Sequence, residues 1–296
     1  MRKNVLTSLV LAGLLLISIP SPLHAQSNLL EDMKWKPETL TNATGTVNLW
    51  FPVGERLTYT VHWGVLHVAD AVISTDWVQW KDDRPLIRIR LRTISNRFIN
   101  KLYPVNDQIE SYIDPVTFLP VRFVKDMSEG SRHELAVTDF NHTTGTARWR
   151  KMVRKYKDWT LPIADDTRDI PSLLYWLRKD GITEGVTNRY QVMADDKIYD
   201  LFMTSIDHRE RLPVPGFGSV PCLQVNPEAT FDGLFVRKGK LTIWVSQGAP
   251  CLITRMDAEV PVARIRIRLD KIEGPETQIW SNVWASAKSP ALNQAP

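Results

Sequence analysis

Two short runs place arginine at every second position: Arg88, Arg90 and Arg92 within 87–92, and Arg264, Arg266 and Arg268 within 264–269. In extended chain, residues two apart share a face, so each run presents a ladder of guanidinium forks suited to carboxylates or phosphates. Like charges side by side repel unless acids or an anion stand between them. Asp107, Glu110, Glu134 and Asp270 are expected on neighbouring strands, so internal pairing is the simpler account. An anion-lined concave face is the alternative. A second basic group, Arg148, Arg150, Lys151, Arg154, Lys155 and Lys157, crowds around Trp149, Tyr156 and Trp159. Stacking rings among cations can hold a nucleic-acid strand, an anionic lipid head group or an acidic glycan. The plainer reading is a solvated hairpin whose charges guard against edge pairing. The candidate ligand-binding residues are therefore the two ladders with Trp149 and Arg150.

Catalytic patterns are missing. There is no G-x-S-x-G elbow, phosphate loop or dinucleotide fingerprint. Asp165-Asp166 and Asp195-Asp196 could supply a carboxylate pair, but their neighbours favour a helix approach and a hairpin turn. His62 and His67, five apart, would lie on opposite faces of a continuous strand, and metal sites want closer spacing. The expectation is a non-catalytic protein with no metal and no cofactor. Cys222 and Cys251 are the two cysteines. An oxidising compartment favours a disulfide between them. A simple meander would hold them about 10 Å apart, beyond the roughly 4.4–6.8 Å that a bridge needs, so bridged and free remain alternatives.

The compartment follows from the first 25 residues. Arg2 and Lys3 precede an apolar run from Leu6 to Ile19, broken by Pro20 and Pro22 and closed by Ala25. That is the plan of a cleaved export signal, cut after Ala25, and the run is short for a membrane span. Periplasmic localisation is expected. Net charge is +4 for 296 residues and +2 without the signal, too small for a field that gathers nucleic acid. The 11 Trp are many for this length; Trp63, Trp77, Trp176 and Trp244 sit in apolar-periodic segments and read as core.

The elements that must position these residues are mostly strands. Period-two alternation marks 57–63, 69–77, 87–92 and 264–269. Further strands near 107–113, 120–125, 133–140, 146–153, 198–206, 220–225, 240–246 and 252–260 are separated by turn residues. Asp169 as cap, Pro171, the apolar 173–177 and Gly181 mark one main helix. Residues 26–47 read as a flexible lead-in, 48–274 as a single β-rich domain, and 275–296 as a polar tail, loosely ordered or packed on the surface.

The stretch Ile113-Asp114-Pro115-Val116-Thr117-Phe118-Leu119-Pro120 resembles an exported bacterial family, domain of unknown function 3108, with its strand, "ID-x-x-T-x-x-P" turn and second strand. Thr138–His142, Asp169–Arg178 and Gly239–Ser246 resemble its next strand, its helix and its late "G-x-L-x-I-W-V" strand. Val68-Ala69 and Val262-Ala263 stand where the family favours glycine. The resemblance implies an exported β-rich fold and carries no activity. The expected fold is mainly β: one curved antiparallel sheet forming an open half-barrel, with one main α-helix. Two functions suit it: a protein binding a lipid or other amphiphile in the concavity, or an adaptor docking another envelope component. A lipid, an anionic envelope glycan or an envelope protein is the expected partner, with no nucleic acid and no membrane-spanning segment.

Overall fold

Where polar and apolar residues keep period two the chain is strand, and where glycine, proline or paired Asp interrupt, it turns. The computed structural model describes residues 31–40, 47–152, 156–231, 234–235, 240–260 and 263–286. The signal at 1–25, the cations Arg154 and Lys155, and tail residues 287–296 lie outside them. The first strands are β1 (Glu38–Thr39), β2 (Arg56–Trp63), β3 (Leu66–Gln79) and β4 (Pro85–Ser95). A single helical turn, α1 (Ile99–Leu102), leads to β5 (Asn106–Ile113), β6 (Pro120–Glu129) and β7 (Arg132–Asn141). Then come β8 (Thr146–Met152), β9 (Tyr156–Pro162) and the helix α2 (Ile170–Trp176). Strands β10 (Thr187–Ala194), β11 (Lys197–Val214), β12 (Gly218–Phe231) and β13 (Leu234–Phe235) follow. The chain closes with β14 (Lys240–Ser246), β15 (Ile253–Val260), β16 (Ala263–Glu273) and α3 (Gln278–Ser286).

All these strands join one antiparallel sheet, ordered β10-β11-β12-β14-β15-β16-β2-β3-β4-β5-β6-β7-β8-β9, with β1 on β3 and β13 on β12. The last strand returns to pair with β2, so the two halves of the chain meet at the middle of the sheet. The end strands β9 and β10 do not pair, and the sheet stays open. It nevertheless curls: Asp195, in the β10–β11 turn, accepts a bond from Lys125 of β6 at 2.8 Å. Strong curvature relieves a wide sheet of its accumulated twist. The mainly β, antiparallel fold with one main helix is as the alternation pattern predicted, and the open, curved sheet is as expected with the family resemblance.

Helix α2 starts where its sequence says it should. Asp169 accepts from the Ser172 N–H at 2.8 Å, and Ser172 answers the Asp169 N–H at 3.1 Å, a reciprocal capping box. The cap is tied to the sheet by Ser111, whose hydroxyl donates to Asp169 at 2.5 Å. Leu173 and Tyr175 are buried beneath it.

Both ends of the chain depart from expectation. The lead-in is not loose where it is described: Met33 is buried among Val78, Leu86, Tyr112 and Val137. Asp32 bonds Arg150 and Lys81, and β1 adds to the sheet. The tail is not a surface appendage either. Residues 278–286 form α3, which buries Trp280 and Trp284 in the cluster of Leu57, Tyr59, Ile265 and Leu269. Close approach is allowed by Gly248, at φ +102°, where a Cβ would stand 2.6 Å from Val283 Cγ1.

Candidate functional site

The ladders fall on the face away from the helices. Ile87 and Ile89 are buried with Phe51, Phe118 and Tyr175 under α2, so Arg88, Arg90 and Arg92 point the other way. Likewise Ile265, Ile267 and Leu269 pack in the cluster that holds Trp280, which turns Arg264, Arg266 and Arg268 outward. Acids answer most of them. Arg88 reaches Asp76 at 2.9 Å, Arg90 reaches Glu110 at 2.8 Å, Arg264 reaches Glu259 at 2.7 Å, and Arg266 forks onto Asp257 with both bonds at 2.8 Å. Arg92 touches Asn106 alone, and Arg268 is exposed opposite Arg255. An anion-lined concave face is thus corrected to a convex face of paired charges.

Trp149 and Arg150 are split by the same alternation. Trp149 is buried with Phe123, Phe140 and Ile163 on the inner side. Arg150, on the other, donates to Asp32 at 2.7 Å and to Asp139. Burial opposes ionisation of Asp32, but hydrogen bonds from Lys81 and Arg150 and the charge of Arg122 hold it well below the usual carboxylate range. Neither residue is free to hold a ligand.

The inner side gathers its own polar chemistry, none of it anticipated. Glu55, one residue before β2, receives a forked pair of bonds from Arg178, at 2.7 and 2.9 Å, and a third from the Tyr175 hydroxyl at 3.2 Å. The guanidinium also lies 4.4 Å from the Tyr175 ring centroid and 5.3 Å from that of Trp280. Arg178 thereby links α2, the start of β2 and α3. Nearby, Arg168 is buried, donates to the Phe118 carbonyl and stacks 4.1 Å from the Trp176 ring. Burial depresses its pKa to about 10, against the charges of Asp166 and Asp169. Glu55 and Arg178 neutralise one another, and Arg168 is held by a carbonyl and a ring.

His62 and His67 correct a prediction. Gly64 at φ +60° turns the chain, so the two are cross-strand partners with ring centroids 5.3 Å apart, not opposite faces of one strand. His67 meets Asp70 at 2.9 Å. Burial, then the charges of Arg268, His67 and Arg266, lower the His62 pKa. Among the described residues no three His, Cys, Asp or Glu side chains gather as metal ligands. Asp195-Asp196 forms the hairpin turn expected of it.

Cys222 and Cys251 are not bridged. Both are buried and free. Cys222 Sγ faces the Thr254 hydroxyl at 3.2 Å, while Cys251 Sγ faces the Leu177 carbonyl at 3.5 Å. The strand β14 lies between β12 and β15 and separates them, which is the free alternative of the two. Burial pushes the Cys251 thiol up to about 12.

Asp107 is the buried acid most out of balance. One oxygen accepts from the Ser128 N–H at 2.8 Å, and the other is buried without a partner. Burial pushes its carboxyl up to about 7, against the Ser128 bond and with the charge of Glu129. The folded value exceeds the unfolded one of about 3.9, so unfolding releases a proton. This group's favourable contribution is complete below about pH 4 and is lost as pH rises toward 7. Asp107→Asn should flatten that slope and stabilise the protein by about 1–3 kcal/mol at about pH 8. Urea denaturation at about pH 5 and about pH 8 checks it. An equal gain at both would mean that Asp107 does not titrate.

Several exposed apolar residues gather at one end of the sheet, whereas Val116, 79% exposed, stands alone in the β5–β6 turn. Val65 and Leu66 cap the β2–β3 hairpin at 94% and 62% exposure, and Phe98 and Leu102 flank the α1 turn at 70% and 73%. The two places are stitched together: the Asn96 side chain donates to the His67 carbonyl, and its N–H to the Val68 carbonyl at 2.9 Å. The sequence signal was the four-residue spacing of Phe98 and Leu102, which puts both on one side of a helical turn. No helix among the described residues is long and apolar enough to cross a membrane.

A family model described as protein of unknown function, DUF3108, matches residues 58–270. Among solved structures, the chain is similar to a β-barrel-like protein of domain of unknown function DUF1849 from Brucella abortus. Identity is 12% over 77% of this chain and 99% of that one, at a TM-score of 0.49. It is also similar to a protein with a YmcC-like fold from Bacteroides fragilis, 9% identical over 77% and 99%, at a TM-score of 0.33. No curated protein matches the chain.

Proposed function

We propose that this chain, which belongs to the DUF3108 family of proteins of unknown function, is an exported, non-catalytic docking protein of the cell envelope. The export pattern of residues 1–25 supports a periplasmic location. The observation that carries the docking reading is that α2 and α3 pack on one face of the sheet, with Tyr175, Trp280 and Trp284 buried against it. A protein whose interior is spent on its own helices presents its chemistry on the outside. Here the outer surface offers paired charges over the sheet face and exposed apolar residues at one end.

A second reading, an amphiphile held in the concavity, is favoured by one observation. The indole N–H groups of Trp280, Trp284 and Trp244 are buried without acceptors, which costs stability and marks a surface that could gain from a ligand. That reading requires α3 to leave. Lipid extraction and mass spectrometry of the mature protein, purified from a periplasm, separate the two. The docking reading expects no stoichiometric lipid, together with reproducible crosslinks in cells from a photoreactive residue at position 98. Stoichiometric lipid that is kept or increased when residues 275–296 are removed would hand the function to the concavity.

A further inference from the structure

Resting on the docking reading, we propose that the β2–β3 tip and the α1 turn seat this protein end-on against an anionic lipid surface. The end of the sheet supplies both parts of an interfacial anchor. Val65, Leu66, Phe98 and Leu102 are exposed together, a concentration of large apolar side chains that water does not favour. Around them stand Arg92, Arg97 and Lys101, all exposed. None of the three has a carboxylate partner among the described residues; Arg92 bonds only the Asn106 side chain. Of the acids at this end, Asp70 pairs with His67 at 2.9 Å and Glu259 with Arg264 at 2.7 Å, while Glu129, bridged to Val105, lies beside Tyr103 and Arg132.

The spacing within 97–102 makes the arrangement coherent. Around α1, Phe98 and Leu102 are four apart and share one side, and Arg97 and Lys101, also four apart, share the adjacent side. The apolar pair can enter the acyl boundary while the cations stay at the level of the phosphates. A protein partner would equally bury the apolar residues, but it would need acids matched to three unpaired cations at a convex tip. A lipid phosphate layer provides negative charge in any direction. Elsewhere on the sheet most arginines carry their own acids, with Arg268, opposite Arg255, and Arg211, bonded to the Ser219 carbonyl, as exceptions.

Flotation of the mature protein with vesicles tests this, using equal parts phosphatidylcholine and phosphatidylglycerol against phosphatidylcholine alone. The expected result is binding to the anionic vesicles that weakens with added salt. Arg97→Glu with Lys101→Glu should reduce it at least about tenfold, and Phe98→Ser with Leu102→Ser by a similar factor, with unchanged circular dichroism. Absence of binding by the unaltered protein overturns the proposal. So does equal binding to neutral vesicles, or binding that survives both double substitutions. A photoreactive residue at position 98 in cells distinguishes the failures. If it crosslinks a protein and the vesicles fail, the lipid proposal falls and docking stands. If it captures neither lipid nor protein, both fall.

Discussion

Arg178→Ala is expected to lower the unfolding free energy by about 3–5 kcal/mol, because it strands a buried carboxylate. For a domain of this size that corresponds to a fall in Tm of roughly 6–20 °C. Glu55 is 1% exposed, and without Arg178 its remaining side-chain donor is the Tyr175 hydroxyl. The loss is not the worth of the pair. It is the cost of leaving one charge unpaired in a medium that solvates it poorly. Replacing both members, Glu55→Leu with Arg178→Met, should therefore recover much of what Arg178→Ala forfeits. Calorimetry and urea denaturation of the two single variants and the double variant give the coupling energy directly. A loss below about 1 kcal/mol for Arg178→Ala would mean that water reaches Glu55 and that the interior is less sealed than α2 and α3 make it.

That ion pair was invisible in the sequence, and the reason is general. Alternation tells which residues share a face of a strand but not which face becomes concave, since curvature is set by the whole sheet. Hence alternation puts Arg88, Arg90 and Arg92 on one face, but leaves internal pairing and an anion-lined concave face as alternatives. Glu55 and Arg178 lie at the ends of elements, 123 residues apart, where no period reaches. What local chemistry could fix, it did: Asp169 caps α2 through a contact of three residues, and Asp195 turns a hairpin where expected. His62 and His67 show the failure at short range. A strand pattern continued through Gly64 puts them on opposite faces, whereas one left-handed glycine makes them neighbours. The C-terminal helix was missed because Gln278–Ser286 is short and set in a stretch, 275–296, rich in Ser, Asn, Gln and Pro. Only the pair Trp280 and Trp284, four apart, carried the signal.

Trp280→Ala should cost about 3–5 kcal/mol, the second large effect, and it bears directly on function. Trp280 is fully buried, packs in the cluster of the central strands, and stands 5.9 Å from Trp284 and 5.3 Å from the Arg178 guanidinium. Removing it opens a cavity between α3 and the sheet and thins the apolar cover over the buried ion pair, so its effect should be non-additive with Arg178→Ala. Trp280→Phe isolates the ring from its polar edge. The indole N–H has no acceptor, so the phenyl ring loses volume while shedding an unpaid desolvation cost, and the net change should stay below about 1.5 kcal/mol. Denaturation curves supply the stabilities, and binding of a hydrophobic dye reports whether the concavity has become accessible. A large loss for alanine with little for phenylalanine makes α3 a permanent part of the core. The interior then has no room for cargo, and function belongs to the outside. If alanine is silent and dye enters without unfolding, α3 is a removable plug. The same two tryptophans would then be the occupant that an amphiphile displaces.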